Sequence, residues 1–229
     1  MDKNEKKVAV LNPYDVLGKA HNRGLDYVIE RLSSDGEIKP ERVVELASQY
    51  VESIDNQCCE REHSHHDRCG KEDMKIGFVN HYVAIGNNLN LLVLNSVDEL
   101  VKRQAFNEEQ QCFINQIVNV SDERDLDLEG TLKILMNIEE QILASDLTPE
   151  ELQVPLIMVS VAKYSVKYWM EQMKDDNSRW GDFVEGGLDK FKFPWKADAL
   201  GAMTGIGGGF VGAIGGAIGG SVISALGWK

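Results

Sequence analysis

Residues 201–229 read GAMTGIGGGFVGAIGGAIGGSVISALGWK, and how this stretch folds decides the architecture of the chain. Between Asp198 and Lys229 there is no charged side chain, and eleven of the protein's 21 glycines fall in that span. A flexible linker pairs glycine with Ser, Thr or charge, not with Ile, Phe, Val and Leu. Taken in steps of four, one row is Ala202, Ile206, Phe210, Ile214, Ile218, Val222 and Leu226, almost all large. A second row is Gly201, Gly205, Gly209, Ala213, Ala217, Ser221 and Ala225, and a third is Thr204, Gly208, Gly212, Gly216, Gly220 and Ser224, all small. Residues four apart stack on one face of a helix. The pattern therefore predicts a glycine-zipper helix, or a helical hairpin, with a ridge of bulk beside a furrow with almost no side chain.

In water each glycine costs such a helix about 1 kcal/mol. In lipid the backbone satisfies its own hydrogen bonds, and glycines at this spacing let two helices approach closely. Thirty residues as one helix reach ~45 Å against an apolar core of ~30 Å, so one tilted span and a short hairpin both fit. Trp195 and Lys196 before the segment and Trp228 after it are the residue types expected at a membrane interface. The competing expectation is a buried hairpin packed on its own domain, because about two thirds of the segment is Gly, Ala, Ser or Thr.

Upstream, the sequence reads as helices. Asn12-Pro13-Tyr14-Asp15 has the form of a start, with Asn12 as N-cap, Pro13 at the first helical position and Asp15 closing a capping box. Gly18 and Gly24 weaken the helix that follows unless they serve close packing. A second helix begins near Pro40, with Val43, Leu46, Ala47, Tyr50, Val51 and Ile54 on one face. Ser96 and Asn107 open two more, Leu132 to Leu143 marks another, and Thr148-Pro149-Glu150-Glu151 caps the next. Pro155 is expected to kink or split that element. The apolar run after it, through Tyr164, Tyr168 and Trp169, is the expected centre of the body; Lys163 and Lys167 make it too polar to span a membrane. FVNHYVAIGNNLNLLVLNS, residues 78–96, fits either a strand pair or an irregular helix. The fold expected is mainly α: an acidic helical domain over 1–180, a linker with interface residues over 181–198, and the glycine-zipper segment over 199–229.

The net charge is −13, of which residues 1–190 carry −15. An acidic body without a basic face excludes nucleic acid as a partner. The N-terminal sequence MDKNEKKVAVLNPYD has no apolar h-region of a classical signal peptide. Four cysteines, two of them adjacent, do not make a disulfide scaffold and fit a reducing compartment. CCEREHSHHDRC, residues 58–69, offers Cys59, His63, His66 and Cys69 as a zinc-type ligand set, with Cys58 and His65 as alternates. The paired CxxC knuckles of readable zinc sites are absent, and a polar exposed loop accounts for the same residues. No nucleophile elbow, P-loop, dinucleotide fingerprint or HExxH is present. His21 and His81 read as packed or surface imidazoles, and no enzyme, catalytic residue or bound cofactor is expected beyond the possible zinc.

NPYD followed by AHNRGLDYV, the AKYSVKYW segment and the closing WKADALGAMTGIGGGFVGAIGGAIGGS together resemble a group of uncharacterised bacterial proteins that join a helical body to a glycine-zipper tail. The tail alone is similar to the glycine-rich cores of class II bacteriocins of the colicin V and two-peptide type; their double-glycine leader does not appear at this N-terminus. The ridge and furrow at four-residue spacing, with their aromatic and lysine flanks, make membrane lipid and a second copy of the tail the expected partners. The expected function is non-enzymatic membrane association and self-association through the zipper (Gly201, Gly205, Gly208, Gly209, Gly212, Gly216 and Gly220), with the body on the cytoplasmic side. The alternatives are a bacteriocin-like or effector protein whose tail permeabilises membranes, exported without a classical signal peptide, and a soluble cytoplasmic metal-binding or regulatory protein with the tail packed on its body.

Overall fold

The structure, a computed structural model, describes residues 11–32, 40–61, 106–120, 128–182, 194–206 and 209–225. Among them the fold is mainly α, with no strand. In chain order the helices are α1 (Asp15–Leu32), α2 (Pro40–Arg61), α3 (Glu108–Asn119), α4 (Leu128–Leu143), α5 (Pro149–Lys174), α6 (Trp195–Gly205) and α7 (Gly209–Ala225), with a 3-10 turn at Arg179–Asp182. Residues 78–96, Ser96 and His81 lie outside the described residues.

Helix α5 is the axis. Its Ile157, Val161, Tyr168 and Trp169 join a core with α1, α2, α7 and the buried Trp180. Its Leu156, Met158, Val159, Ala162 and Val166 face a second core with α3, α4 and α6. Each fully buried Leu, Ile or Val contributes about 1.5–3 kcal/mol relative to exposure, so apolar positions around most of its circumference make α5 central.

Thr148 and Asn107 form the expected caps, each with a reciprocal bond to the residue three ahead, Glu151 and Gln110. Pro155 does not split α5, which runs unbroken from Pro149 to Lys174. The proline removes the N–H that would reach the Glu151 carbonyl four residues back. Gln110 replaces it: its Nε2 donates to the Glu151 carbonyl at 2.9 Å, while Asn107 Nδ2 donates to the Glu151 carboxylate at 2.8 Å. The cap of α3 thus completes the helix that Pro155 would interrupt.

The start of α1 also differs from its sequence signature. Asn12 Oδ1 accepts from the Tyr14 N–H at 2.9 Å and so stabilises a turn, and the helix begins at Asp15. Asp15 does not close a capping box, because its carboxylate accepts from Ser160 Oγ at 3.2 Å and Lys163 Nζ at 3.3 Å. A bond to a buried cation outweighs one to a neutral backbone amide. Gly18 and Gly24 do serve close packing. A Cβ on Gly18 would fall on the Tyr164 ring and lie 2.9 Å from the Ser160 carbonyl, and one on Gly24 would fall on the Ile218 side chain.

The C-terminal segment is an antiparallel hairpin. α6 runs through the 198/199 boundary, so the expected linker's last residues belong to the hairpin. A Cβ on Gly201 would fall on the Gly216 carbonyl, and one on Gly205 on the Gly212 carbonyl. One on Gly220 would lie 2.5 Å from the carbonyl of Ala197. Each step of four forward along α6 is matched by a step of four back along α7. The two small rows thus face each other within one chain, and the furrow is filled without a second copy. Among the described residues no helix is long and apolar enough to cross a membrane.

Candidate functional site

The residues singled out in the sequence meet different fates. Gly201, Gly205, Gly212, Gly216 and Gly220 lie at the helix–helix contact, Gly209 opens α7, and Gly208 is outside the described residues. Trp195, expected at a membrane interface, is 6% exposed and packs in the core with α3, α4 and α5, where the apolar faces of those helices cover it. Lys196 Nζ stands 5.6 Å over the Trp195 ring. Trp228 is outside the described residues. Of the zinc-type set, Cys59 falls in the last turn of α2, while His63, His66 and Cys69 lie outside the described residues. Among the described residues no group of three His, Cys, Asp or Glu could hold a metal ion.

The polar constellation that the fold does build was not singled out in the sequence. Asp198, the one carboxylate in the described part of the hairpin, projects from α6 into the interior and is fully buried. Three other helices each bring one buried polar side chain to it. Ser165 of α5 donates its hydroxyl to Asp198 Oδ2 in a short hydrogen bond. His21 of α1 places Nε2 3.5 Å from the same oxygen. Ser221 of α7 lies beside the carboxyl without a hydrogen bond of good geometry. Asp198 Oδ1, His21 Nε2 and Ser221 Oγ have no hydrogen-bond partner among the described residues.

The imidazole is oriented from its other side. Asn22 Nδ2 donates to the Tyr164 carbonyl at 2.9 Å, which turns Asn22 Oδ1 toward His21 Nδ1 at 3.0 Å. That oxygen takes the Nδ1 proton and leaves the Nε2 lone pair directed at Asp198. Burial disfavours charge on either partner. It lowers the His21 pKa from its ordinary 6.5 to about 4, against a smaller raising effect of the Asn22 bond. It holds Asp198 well above the usual carboxylate range, against smaller lowering effects of Ser165 and Ser221. Burial thus favours the neutral form of each partner, the acid at Asp198 and the free imidazole at His21.

The Ser165 hydroxyl donates to the carboxyl and not to the imidazole. His21, Ser165, Asp198 and Ser221 are all fully buried. The signal in the sequence was a lone acid at the edge of an apolar run; nothing local pointed to His21 as its partner.

A second cluster lies on another side of α5. Lys163, 5% exposed, places Nζ 2.5 Å from both oxygens of Glu139 and 3.3 Å from Asp15 Oδ1. Asn12 Nδ2 adds a bond of 2.7 Å to Glu139 Oε1 and one of 3.0 Å to the Leu156 carbonyl. This cluster ties α1 to α4 and α5. No family model matches the chain, and neither curated proteins nor solved structures gave a match.

Proposed function

We propose that this is a non-enzymatic helical protein that keeps a glycine-zipper hairpin seated on its own body and transfers it to a membrane surface. The observation that carries this reading is the closure of α6 on α7 through backbone contacts at Gly201–Gly216 and Gly205–Gly212. Those contacts belong to the hairpin alone, so it keeps its partner when it leaves the body. The face it then presents carries Ile214, Ile218 and Val222, the side chains that α1 and α2 cover in the seated state. The same apolar ridge suits an acyl-chain environment. At 17 residues α7 reaches ~25 Å, short of the ~30 Å apolar core, which fits a hairpin lying in one leaflet better than a spanning helix. Self-association in the membrane then runs through the outer ridge of the hairpin, since its furrow is already occupied.

Flotation of the full-length chain with phosphatidylcholine vesicles tests this reading. The expected result is co-flotation, with hydrogen exchange rising in α1 and α2, which lose their cover, while α6 and α7 stay protected. A chain that remains entirely in the bottom fraction at every pH from 4.5 to 7.5 overturns it.

A further inference from the structure

The point where the hairpin meets the body is also where the chain holds its only fully buried acid–imidazole pair among the described residues. Four helices each send one polar side chain to that point, and the two partners belong to different moving parts. Asp198 and Ser221 belong to the hairpin, while His21 and Ser165 stay with the body. We infer that the His21–Asp198 contact is a proton-operated latch, and that transfer of the hairpin into an apolar phase takes up one proton at His21. This inference rests on the membrane reading above.

The proton count fixes the direction. Seated between the four helices, His21 is neutral above about pH 4, and burial raises Asp198 in favour of its acid form. On transfer, Asp198 goes from one desolvated setting to another and keeps its proton, as an isolated carboxylate in an apolar phase is far costlier than the acid. His21 is left in the vacated groove facing water and returns to its ordinary value near 6.5. Below that value it binds a proton that the seated state does not hold. Transfer is therefore favoured by acid between pH 6.5 and about 4, where seated His21 itself charges. Above pH 6.5 no proton is exchanged and the pH dependence from this pair disappears.

Other ionisable groups on the packed elements are engaged elsewhere. Tyr50 of α2 gives its hydroxyl to the Ala20 carbonyl at 2.8 Å, and Lys163 of α5 is held by Glu139 and Asp15. Tyr164 of α5 covers Gly18, and Tyr168 donates to Asp26 of α1 at 3.0 Å. Lys196 of α6 lies over Trp195, and α7 carries no acidic or basic residue. Within this interface His21 and Asp198 face each other alone.

The test is flotation with phosphatidylcholine vesicles at pH 7.5, 6.5, 5.5 and 4.5, using the full-length chain and its His21→Gln variant. The parent's bound-to-free ratio is expected to rise up to about tenfold per unit relative to the variant below pH 6.5, the limit for uptake of one proton. An equal response in the variant overturns the latch and leaves the membrane reading standing. Failure of the parent to float at any pH overturns both. Should the variant not fold, the imidazole titration of His21 in the lipid-free parent decides: it is expected to be uncharged at pH 5.5, and a protonated ring at that pH overturns the latch.

Discussion

Lys163 and Ser165 stand on the same turn of α5, and each leads into a buried polar cluster of a different kind. At Lys163 one cation meets two carboxylates whose side chains are 27% and 13% exposed, with Asn12 adding a further donor. Solvent still reaches the acids, and the cation is held by hydrogen bonds to both carboxylates. At Ser165 the acid and the imidazole are wholly buried, the approach is 3.5 Å, and three polar atoms lack partners among the described residues. There burial works against charge on either partner, raising the Asp198 pKa and lowering that of His21. The first cluster fastens helices of the body to one another. The second fastens the body to the hairpin, whose two helices also hold each other at Gly201–Gly216 and Gly205–Gly212.

The sharpest way to separate the two is Gly216→Leu. A side chain at that position meets the Gly201 carbonyl across the hairpin, where backbone cannot give way. The expected loss is at least 4 kcal/mol, the range of severe overpacking and displaced backbone. Amide exchange should show it as lost protection in α6 and α7 while α4 and α5, held at Lys163, remain protected. Equal loss throughout would mean the clusters do not belong to separable parts.

Next in size is Lys163→Met, which keeps the length of the side chain but leaves Asp15 and Glu139 facing each other without a cation. Removing one partner of a buried pair costs about 3 kcal/mol. The urea midpoint should fall at pH 7 with an unchanged slope. A midpoint within error of the parent would show that the cluster is solvated well enough to contribute nothing.

The smallest effect, and one of opposite sign, belongs to Asp198→Asn. Because burial raises the Asp198 pKa, its contribution to folding is fully present below the unfolded value near 3.8 and is lost as pH rises toward the raised one. The depressed His21 pKa gives a contribution that is present above 6.5 and lost as pH falls to about 4. The two slopes oppose each other between about 4 and 6.5, and above 6.5 only the loss at Asp198 continues, up to its raised value. The asparagine variant lacks the Asp198 slope and keeps that of His21, so it should gain on its parent as pH rises from about 4 by up to ~1.4 kcal/mol per pH unit, read from urea midpoints at pH 4.5 to 8.5. Parallel midpoints across that range would show that Asp198 is ionised in the seated hairpin.

Much of the architecture could be read along the chain, because it is written in local signals. The caps at Asn107 and Thr148, the inward face of α2 and the apolar girth of α5 follow from spacing and side-chain chemistry alone. What could not be read depends on partners distant in sequence. Pro155 leaves α5 intact because Gln110 supplies the missing donor, and Asp15 forgoes its cap because Lys163 is closer to its chemistry. The rows of four in the tail were legible, but not that they fold onto each other. α6 ends and α7 begins on glycine, Gly205 and Gly209, the residue type that also lines the furrow, so composition does not mark where one helix stops and the next starts. The Asp198 site was hidden for a related reason. A lone histidine on an amphipathic helix and a lone aspartate before an apolar run become a pair only when the hairpin is seated.

The core that α7 completes takes much of its apolar surface from α1 and α2, the first helices of the described chain, and the rest from α5, Trp180 and α6. During synthesis Leu25, Val28, Leu46 and Val51 emerge long before Ile218 and Val222, which later cover them. Domains fold as units while the chain grows at roughly 5–20 residues per second, so the nascent body spends seconds with an open apolar groove. That groove has the shape of a glycine-rich helix and offers Gly24 as the notch for an isoleucine. Until its own C-terminal segment arrives, the growing chain is a receptor for its future tail.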